Sequence, residues 1–119
     1  MEWSRDTSEN SYHVVTGSGT DGTAILDGVT IRGGNDPRCW LDGFGGGMIN
    51  NEGRPTVTDC IFVGNTAAGG AGMANISESW PSAEGAKLTR CTFLGHFSAV
   101  LSGAGVYNHR VRPVLTACI

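Results

Sequence analysis

Four short segments of this chain repeat one pattern: Leu26-Asp27-Gly28-Val29-Thr30-Ile31, Val57-Thr58-Asp59-Cys60-Ile61-Phe62, Leu88-Thr89-Arg90-Cys91-Thr92-Phe93 and Leu115-Thr116-Ala117-Cys118-Ile119. Val29, Cys60, Cys91 and Cys118 share one column, spaced 31, 31 and 27 residues apart. Ile31, Phe62 and Phe93 form a second column, and Gly33, Gly64 and Gly95 follow two residues later. A second motif interleaves with the first: Gly46-Gly47-Met48-Ile49-Asn50 matches Ala71-Gly72-Met73-Ala74-Asn75 and Ala104-Gly105-Val106-Tyr107-Asn108. Strands this short cannot bury a face alone. A period of about 30 residues therefore implies repeats that stack on one another.

Ankyrin and tetratricopeptide repeats have similar lengths but need a helical period of apolar residues. Here the apolar residues alternate among β-branched residues and glycine, so the helical alternatives are rejected. The expected fold is all-β, a right-handed parallel β-helix (a solenoid) of about three to four coils. It is expected over residues 10–119, with an incomplete last coil, behind a polar N-terminal segment or partial cap over 1–9. Stacked coils lie about 4.8 Å apart, as neighbouring strands do in a sheet. The Val29/Cys and Ile31/Phe columns then face inward. Leu26, Val57, Leu88 and Leu115 form a third inward column. Three residues separate the leucine and cysteine columns, which breaks the alternation and requires a corner between them. Gly28 and Asp59 suit a left-handed backbone there, while Arg90 and Ala117 suit it less.

Glycine supplies 19 of the 119 residues, without the three-residue period of collagen, which agrees with many tight turns. The formal charge of −3 argues against a nucleic-acid partner, which selects for a basic footprint. No apolar run reaches the roughly 20 residues of a membrane-spanning helix. The start, Met1-Glu2-Trp3-Ser4-Arg5-Asp6, is acidic and polar, unlike a signal peptide.

These repeats resemble the right-handed β-helix repeats of large bacterial surface proteins. These proteins include the polymorphic outer-membrane-protein type, with its repeated Gly-Gly-x-hydrophobic and Phe-x-x-Asn elements. Phe62-Val63-Gly64-Asn65 matches the latter, whereas Phe93-Leu94-Gly95-His96 departs at its last residue. The segment from Asn10-Ser11-Tyr12-His13-Val14-Val15 to Leu26-Asp27-Gly28 looks like the entry to such an array. The resemblance implies a secreted or cell-surface parent, and the chain reads as a truncated piece of one. It says little about activity, because one fold hosts many functions.

Candidate chemistry is sparse. Cys60, Cys91 and Cys118 are expected to be buried free thiols, and Cys39 is the one candidate for pairing between molecules. Asn50, Asn75 and Asn108 are expected to form an asparagine ladder. Thr58, Thr89 and Thr116 form an outward column with Asp27, read as ordinary β-propensity and not as an ice-binding array. Asn75-Ile76-Ser77 fits a glycosylation sequon and is discounted as a chance triplet. Two excursions interrupt the repeat, Asp36 to Asp42 and Glu78 to Glu84. They carry the weak ligand-binding candidates Trp40, Asp42 and Trp80, since exposed tryptophan beside acids is a sugar-binding signature. Polysaccharide lyases and pectin hydrolases share this fold and need clustered acids. Asp27, Asp59 and Arg90 are the nearest approach to that, and no catalytic residue is assigned. His13, His96 and His109 share no column and have no evident acid partner. Neither a metal nor a cofactor is expected. The expected function is a non-enzymatic structural or adhesive module, the alternative a carbohydrate-active enzyme fragment or a glycan-binding module. The open C-terminal coil is expected to form a homodimer, and a glycan is the other partner considered.

Overall fold

The computed structural model of the chain describes residues 12–38, 43–79, 83–98 and 103–119. Among these residues there is no helix. The strands are β1 (Val15–Thr16), β2 (Ile25–Asp27), β3 (Thr30–Arg32), β4 (Met48–Asn51), β5 (Thr56–Thr58), β6 (Ile61–Val63) and β7 (Thr66–Ala67). They continue with β8 (Met73–Ile76), β9 (Ala83–Thr89), β10 (Thr92–Leu94), β11 (Phe97–Ser98), β12 (Val106–His109) and β13 (Val111–Thr116). Every pairing is parallel. The sheets run β1-β4-β8-β12, β2-β5-β9-β13, β3-β6-β10 and β7-β11, and a bridge from Asn35 to Thr66 extends the last. Each sequence period thus gives at most one strand to each sheet, and the strands of a period are termed a tier. Tier one holds β1 to β3, tier two β4 to β7, tier three β8 to β11, and tier four β12 and β13.

The pairing reproduces the columns residue by residue. Leu26, Val57, Leu88 and Leu115 are successive partners, as are Ile31, Phe62 and Phe93. Phe62 and Phe93 stack at 4.7 Å with ring planes 10° apart, which adds aromatic contact to the area they bury. Ile31, Met48, Val57, Cys60, Phe62, Met73, Leu88 and Cys91 form the buried core. Val29 and Leu115 are 38% and 46% exposed despite their column positions, because among the described residues tiers one and four have a neighbouring tier on one side only. The three column cysteines are free thiols. The single S–H of each lies within reach of two carbonyls, one two residues back and one in the preceding tier. For Cys60 these are Thr58 at 3.3 Å and Leu26 at 3.6 Å, and for Cys91 they are Thr89 and Val57, both at 3.5 Å. Weak donors inside an apolar column are thereby satisfied locally.

The corners are equally repetitive. Gly28, Asp59, Arg90 and Ala117 all have φ between 52° and 71°, so Arg90 and Ala117 adopt the left-handed backbone that their side chains disfavour. Their sequence identity suggested a poorer fit. The register overrides it, because strands paired on both sides of the corner leave each tier one way to turn. Gly33, Gly64 and Gly95 form a second left-handed column, and Gly45, Gly70 and Gly103 a third. Gly19, Glu52 and Arg110 share the sign at the corner between the β4 and β5 sheets.

The shorter last spacing now has a physical origin. Tier three runs through residues 77–82 between β8 and β9, whereas Arg110 alone joins β12 to β13. A register shift between Arg112 and Val114 removes one further residue from β13. A longer link over 99–105 returns part of the difference.

The asparagines form the expected ladder. Asn50 Nδ2 donates to Asn75 Oδ1 at 2.8 Å, and Asn75 Nδ2 donates to Asn108 Oδ1 at 2.9 Å. In tier one the equivalent position is Gly17, where any side chain would collide with Asn50 Oδ1, and that oxygen has no partner. The ladder therefore begins where a side chain is sterically forbidden. Asn75→Ala should cost about 1–3 kcal/mol, since it strands the Asn50 amide in the core, measured by urea denaturation with unchanged cooperativity. The corners give a paired expectation. Gly64→Ala, in open space at φ 63°, should lose about 1 kcal/mol, and Ala117→Gly should gain a similar amount. Equal and opposite shifts in denaturation midpoint would confirm the left-handed columns, and two shifts of the same sign would refute them.

Candidate functional site

Trp40, Asp42 and Trp80, and with them Cys39, lie outside the described residues. Their flanks leave the stack at different places. Asp36 follows the Asn35 bridge on the way from β3 to β4, and Ser77 follows β8 on the way to β9. Ala83 and Glu84 belong to β9, opposite Val111 and Arg112, so the second excursion ends earlier than the sequence pattern indicated.

The first excursion starts from an ion pair whose acid is buried and whose arginine is partly exposed. The Asp36 side chain is fully buried, and the Arg38 guanidinium grips it through Nε to Oδ1 at 2.8 Å and Nη2 to Oδ2 at 2.6 Å. The same guanidinium lies 4.4 Å from the Tyr12 ring centre. His13 donates from Nδ1 to the Gly45 carbonyl at 2.8 Å, which leaves Nε2 facing Asp36 Oδ2 at 3.9 Å. His13 therefore does have an acid neighbour, contrary to expectation. The fold joins residues 23 apart through links whose lengths do not follow the period. A buried carboxylate this well paired is a structural clamp on the start of tier one.

Of the two acids weighed for catalysis, Asp59 is engaged elsewhere. Asp59 accepts from Arg90 Nε at 2.7 Å and Nη2 at 2.8 Å, since the two are successive members of one corner column. The Arg90 hydrogen bonds hold the Asp59 carboxyl below the usual carboxylate range, so it is ionised at neutral pH and poorly suited to donate a proton. Asp27 is exposed and in register with Thr58, Thr89 and Thr116. Asn75 of the sequon is buried within the ladder, where no glycan fits. Among the described residues no three His, Cys, Asp or Glu side chains converge as a metal site would require.

An open cleft of about 240 Å³ lies at the corner between the β4 and β5 sheets, lined by Thr20, Glu52, Arg54, Ser77, Glu84 and Val111. It exists because the corners differ in length. Tier one spends residues 17–24 there, tier two 52–55, tier three 77–82 and tier four Arg110 alone, so the wall cannot close evenly. The Glu52 carboxylate accepts from the Glu78 backbone N–H at 2.6 Å, from Ser77 Oγ at 3.1 Å and from Ser79 Oγ at 3.3 Å. These bonds, the Glu78 N–H foremost, hold the Glu52 carboxyl below its usual range and anchor the root of the second excursion. Across the cleft, Arg54 Nη1 meets Glu84 Oε2 at 3.0 Å. Sequence reasoning missed this cleft, and the only signal for it was the irregular 25- and 33-residue spacing of Met48, Met73 and Val106.

Comparison with protein-family models, with curated proteins and with solved structures finds no match for this chain. The functional reading therefore rests on geometry.

One polar position outside the cleft has a pH signature. Asn65 Oδ1 accepts from the Gly34 N–H at 2.9 Å, and one tier on His96 Nδ1 accepts from the Asn65 N–H at 3.1 Å. His96 thus replaces the motif asparagine in kind. The bond puts its proton on Nε2, which is buried without a partner. Burial pushes the His96 pKa below its ordinary value. The unfolded chain then binds the proton more readily. This contribution to stability is full above about pH 6.5, the unfolded value, and is lost as pH falls from there through the lower folded value. Thermal midpoints should drop between pH 7.5 and 5. His96→Asn should flatten that window and leave the further loss at more acid pH, where Glu52 and Asp59 protonate below the usual carboxylate range. An unchanged slope in His96→Asn would assign the drop to other groups.

Proposed function

We propose that the chain is a right-handed parallel β-helix of three to four coils and acts as a non-enzymatic structural or adhesive module. In this reading it is a rigid spacer and display surface of the polymorphic outer-membrane-protein type, belonging to a surface protein. The observation that carries the reading is the alignment of parallel strands and left-handed corners in the same columns through successive tiers. Parallel strands joined by crossovers wind right-handedly in nearly all proteins, which supports the hand. Asn65 supports the family likeness, because the last residue of the Phe-x-x-Asn element bonds both the Gly34 N–H and the Ile31 carbonyl of the preceding tier. The absence of turnover is favoured by Glu52 and Asp59, both held ionised by their hydrogen bonds where glycosidic cleavage needs an acid with a raised pKa.

A glycan array together with a polysaccharide-degradation screen separates this reading from a carbohydrate-active enzyme. Retention on glycans or on none, without product release, is the expected result. Turnover abolished by Asp27→Asn or Asp59→Asn would replace it with the enzyme, and retention lost in Trp40→Ala or Trp80→Ala would assign adhesion to the excursions.

The fourth tier is proposed to pair with a second copy. Leu115 and Ile119 are 46% and 85% exposed there, and β13 is the outer strand of its sheet. Pro113 and the register shift beside it blunt the first half of that edge, which confines pairing to residues 114–119. Light scattering over a concentration series should show a dimer. A monomer at high micromolar concentration would remove this part of the proposal.

A further inference from the structure

Cys60, Cys91 and Cys118 occupy one column, and their sulfurs repeat one geometry. Each Sγ lies by the carbonyl two residues back and by a carbonyl of the preceding tier. These are Thr58 and Leu26 for Cys60, Thr89 and Val57 for Cys91, and Thr116 and Leu88 for Cys118. The same two contacts at all three positions mean one rotamer, repeated by the ladder. The backbone repeats with it: the Thr92 N–H donates to the Cys60 carbonyl and the Ile119 N–H to the Cys91 carbonyl, both at 3.0 Å. Successive sulfurs are therefore one tier apart, about 4.8 Å. No side chain is interposed, since each cysteine follows directly on the last in the column. The thiols are free. Parallel side chains a full tier apart suit a disulfide poorly, because it needs Cβ atoms about 3.5–4.5 Å apart. The spacing instead matches a metal ion held in line between two thiolates. Two metal–sulfur bonds of about 2.3 Å, the length thiolates make to zinc, span about 4.6 Å end to end.

Coordination and charge select the ion. Among the described residues no three His, Cys, Asp or Glu side chains converge, so the four ligands that zinc takes are not supplied. The residues packed around the column are apolar, and the guanidinium of Arg90, next in the chain, is already engaged by Asp59. Two thiolates there form a neutral complex only with a divalent ion. A monovalent ion such as silver(I) would leave a net charge that an apolar site penalises. Mercury(II) is soft, divalent and satisfied by two ligands in line.

We propose that Cys91 and Cys118 form a linear two-thiolate site for mercury(II). Cys118 is half-buried and admits the ion, whereas Cys60 and Cys91 are closed off. Loading breaks two S–H bonds and forms two Hg–S bonds; both protons go to solvent, and neither sulfur nor metal changes oxidation state. Burial pushes the Cys91 thiol above its ordinary pKa, so the metal must displace a proton there. The S–H contacts given up are long, 3.5–3.7 Å, and little is lost with them.

The test uses the full chain with Cys39→Ser, so that the cysteine outside the described residues does not compete. Reduced protein is mixed with mercuric chloride and dialysed against millimolar glutathione, and bound metal is counted by mass spectrometry. One mercury per chain should be retained, because two thiols fixed one tier apart act at high effective concentration against separate glutathiones. Cys91→Val and Cys118→Val should each cut retention at least tenfold, and Cys60→Val should leave it unchanged. Valine already stands in the column at Val29, and circular dichroism checks that each variant folds. If Cys91→Val unfolds, the half-buried Cys118→Val carries the test. X-ray absorption should show two sulfurs at one distance and no third ligand. Retention unchanged in Cys118→Val, or lost in a folded Cys60→Val, would overturn the site, as would a single sulfur neighbour. Zinc or cadmium retained as firmly would overturn the linear geometry. Silver(I) retained more firmly would overturn the charge assignment.

Discussion

The backbone ladder between tiers is the interaction on which the other features depend. Each parallel strand fixes the height and register of the one beyond it, and β-strands of two to four residues have no stability of their own. Because the ladder sets position, a side chain is acceptable only if it can sit on its equivalent in the preceding tier. Phenylalanine on phenylalanine, thiol on thiol and amide on amide all satisfy that rule, each by a different physics: ring stacking, close packing with a local carbonyl, and a directional hydrogen bond. Where a tier cannot supply the equivalent, a compensation appears. Gly17 ends the amide ladder by absence, and His96 takes over from Asn65 with an aromatic nitrogen in place of an amide oxygen.

The same rule explains what could be read from the sequence. Inward columns were legible because stacking demands chemical likeness at constant spacing, and the spacing of Cys60 and Cys91 repeats that of Val29 and Cys60. Corners were half legible. Glycine announces a left-handed residue, but Arg90 and Ala117 do not, and only the ladder on either side reveals that they turn alike. Contacts across the links were not legible. His13 meets Asp36, and Glu52 meets Glu78, through segments whose lengths are not periodic, so no column predicts them. The tryptophans weighed as weak ligand-binding candidates, Trp40 and Trp80, stand in two such segments.

Repetition also divides the molecule into positions that are spoken for and positions that are free. Asn50, Asn65, Asn75 and Ser77 are polar and buried, yet each is engaged in holding one tier to another. Asp36 is the same case at the start of the stack, where one guanidinium neutralises it and covers Tyr12. Residues that would attract attention as chemistry in an irregular fold are structural here, and their burial follows from satisfaction by neighbours one tier away.

Freedom is concentrated where the tiers disagree in length. At the corner between the β4 and β5 sheets, one tier turns on Arg110 alone while its neighbour takes residues 77–82 for the same step. The strands at both ends of each link are pinned, so links of unequal length cannot cover this corner evenly. A concave polar surface is the geometric consequence of that mismatch, without any change to the core. Glu52 then converts the mismatch into a defined shape, because its hydrogen bonds to Ser77, Glu78 and Ser79 fix the direction in which the longer link departs. A stacked scaffold of this kind can therefore reshape its surface by altering the length of one corner, while the ladder that holds the rest in register is left untouched.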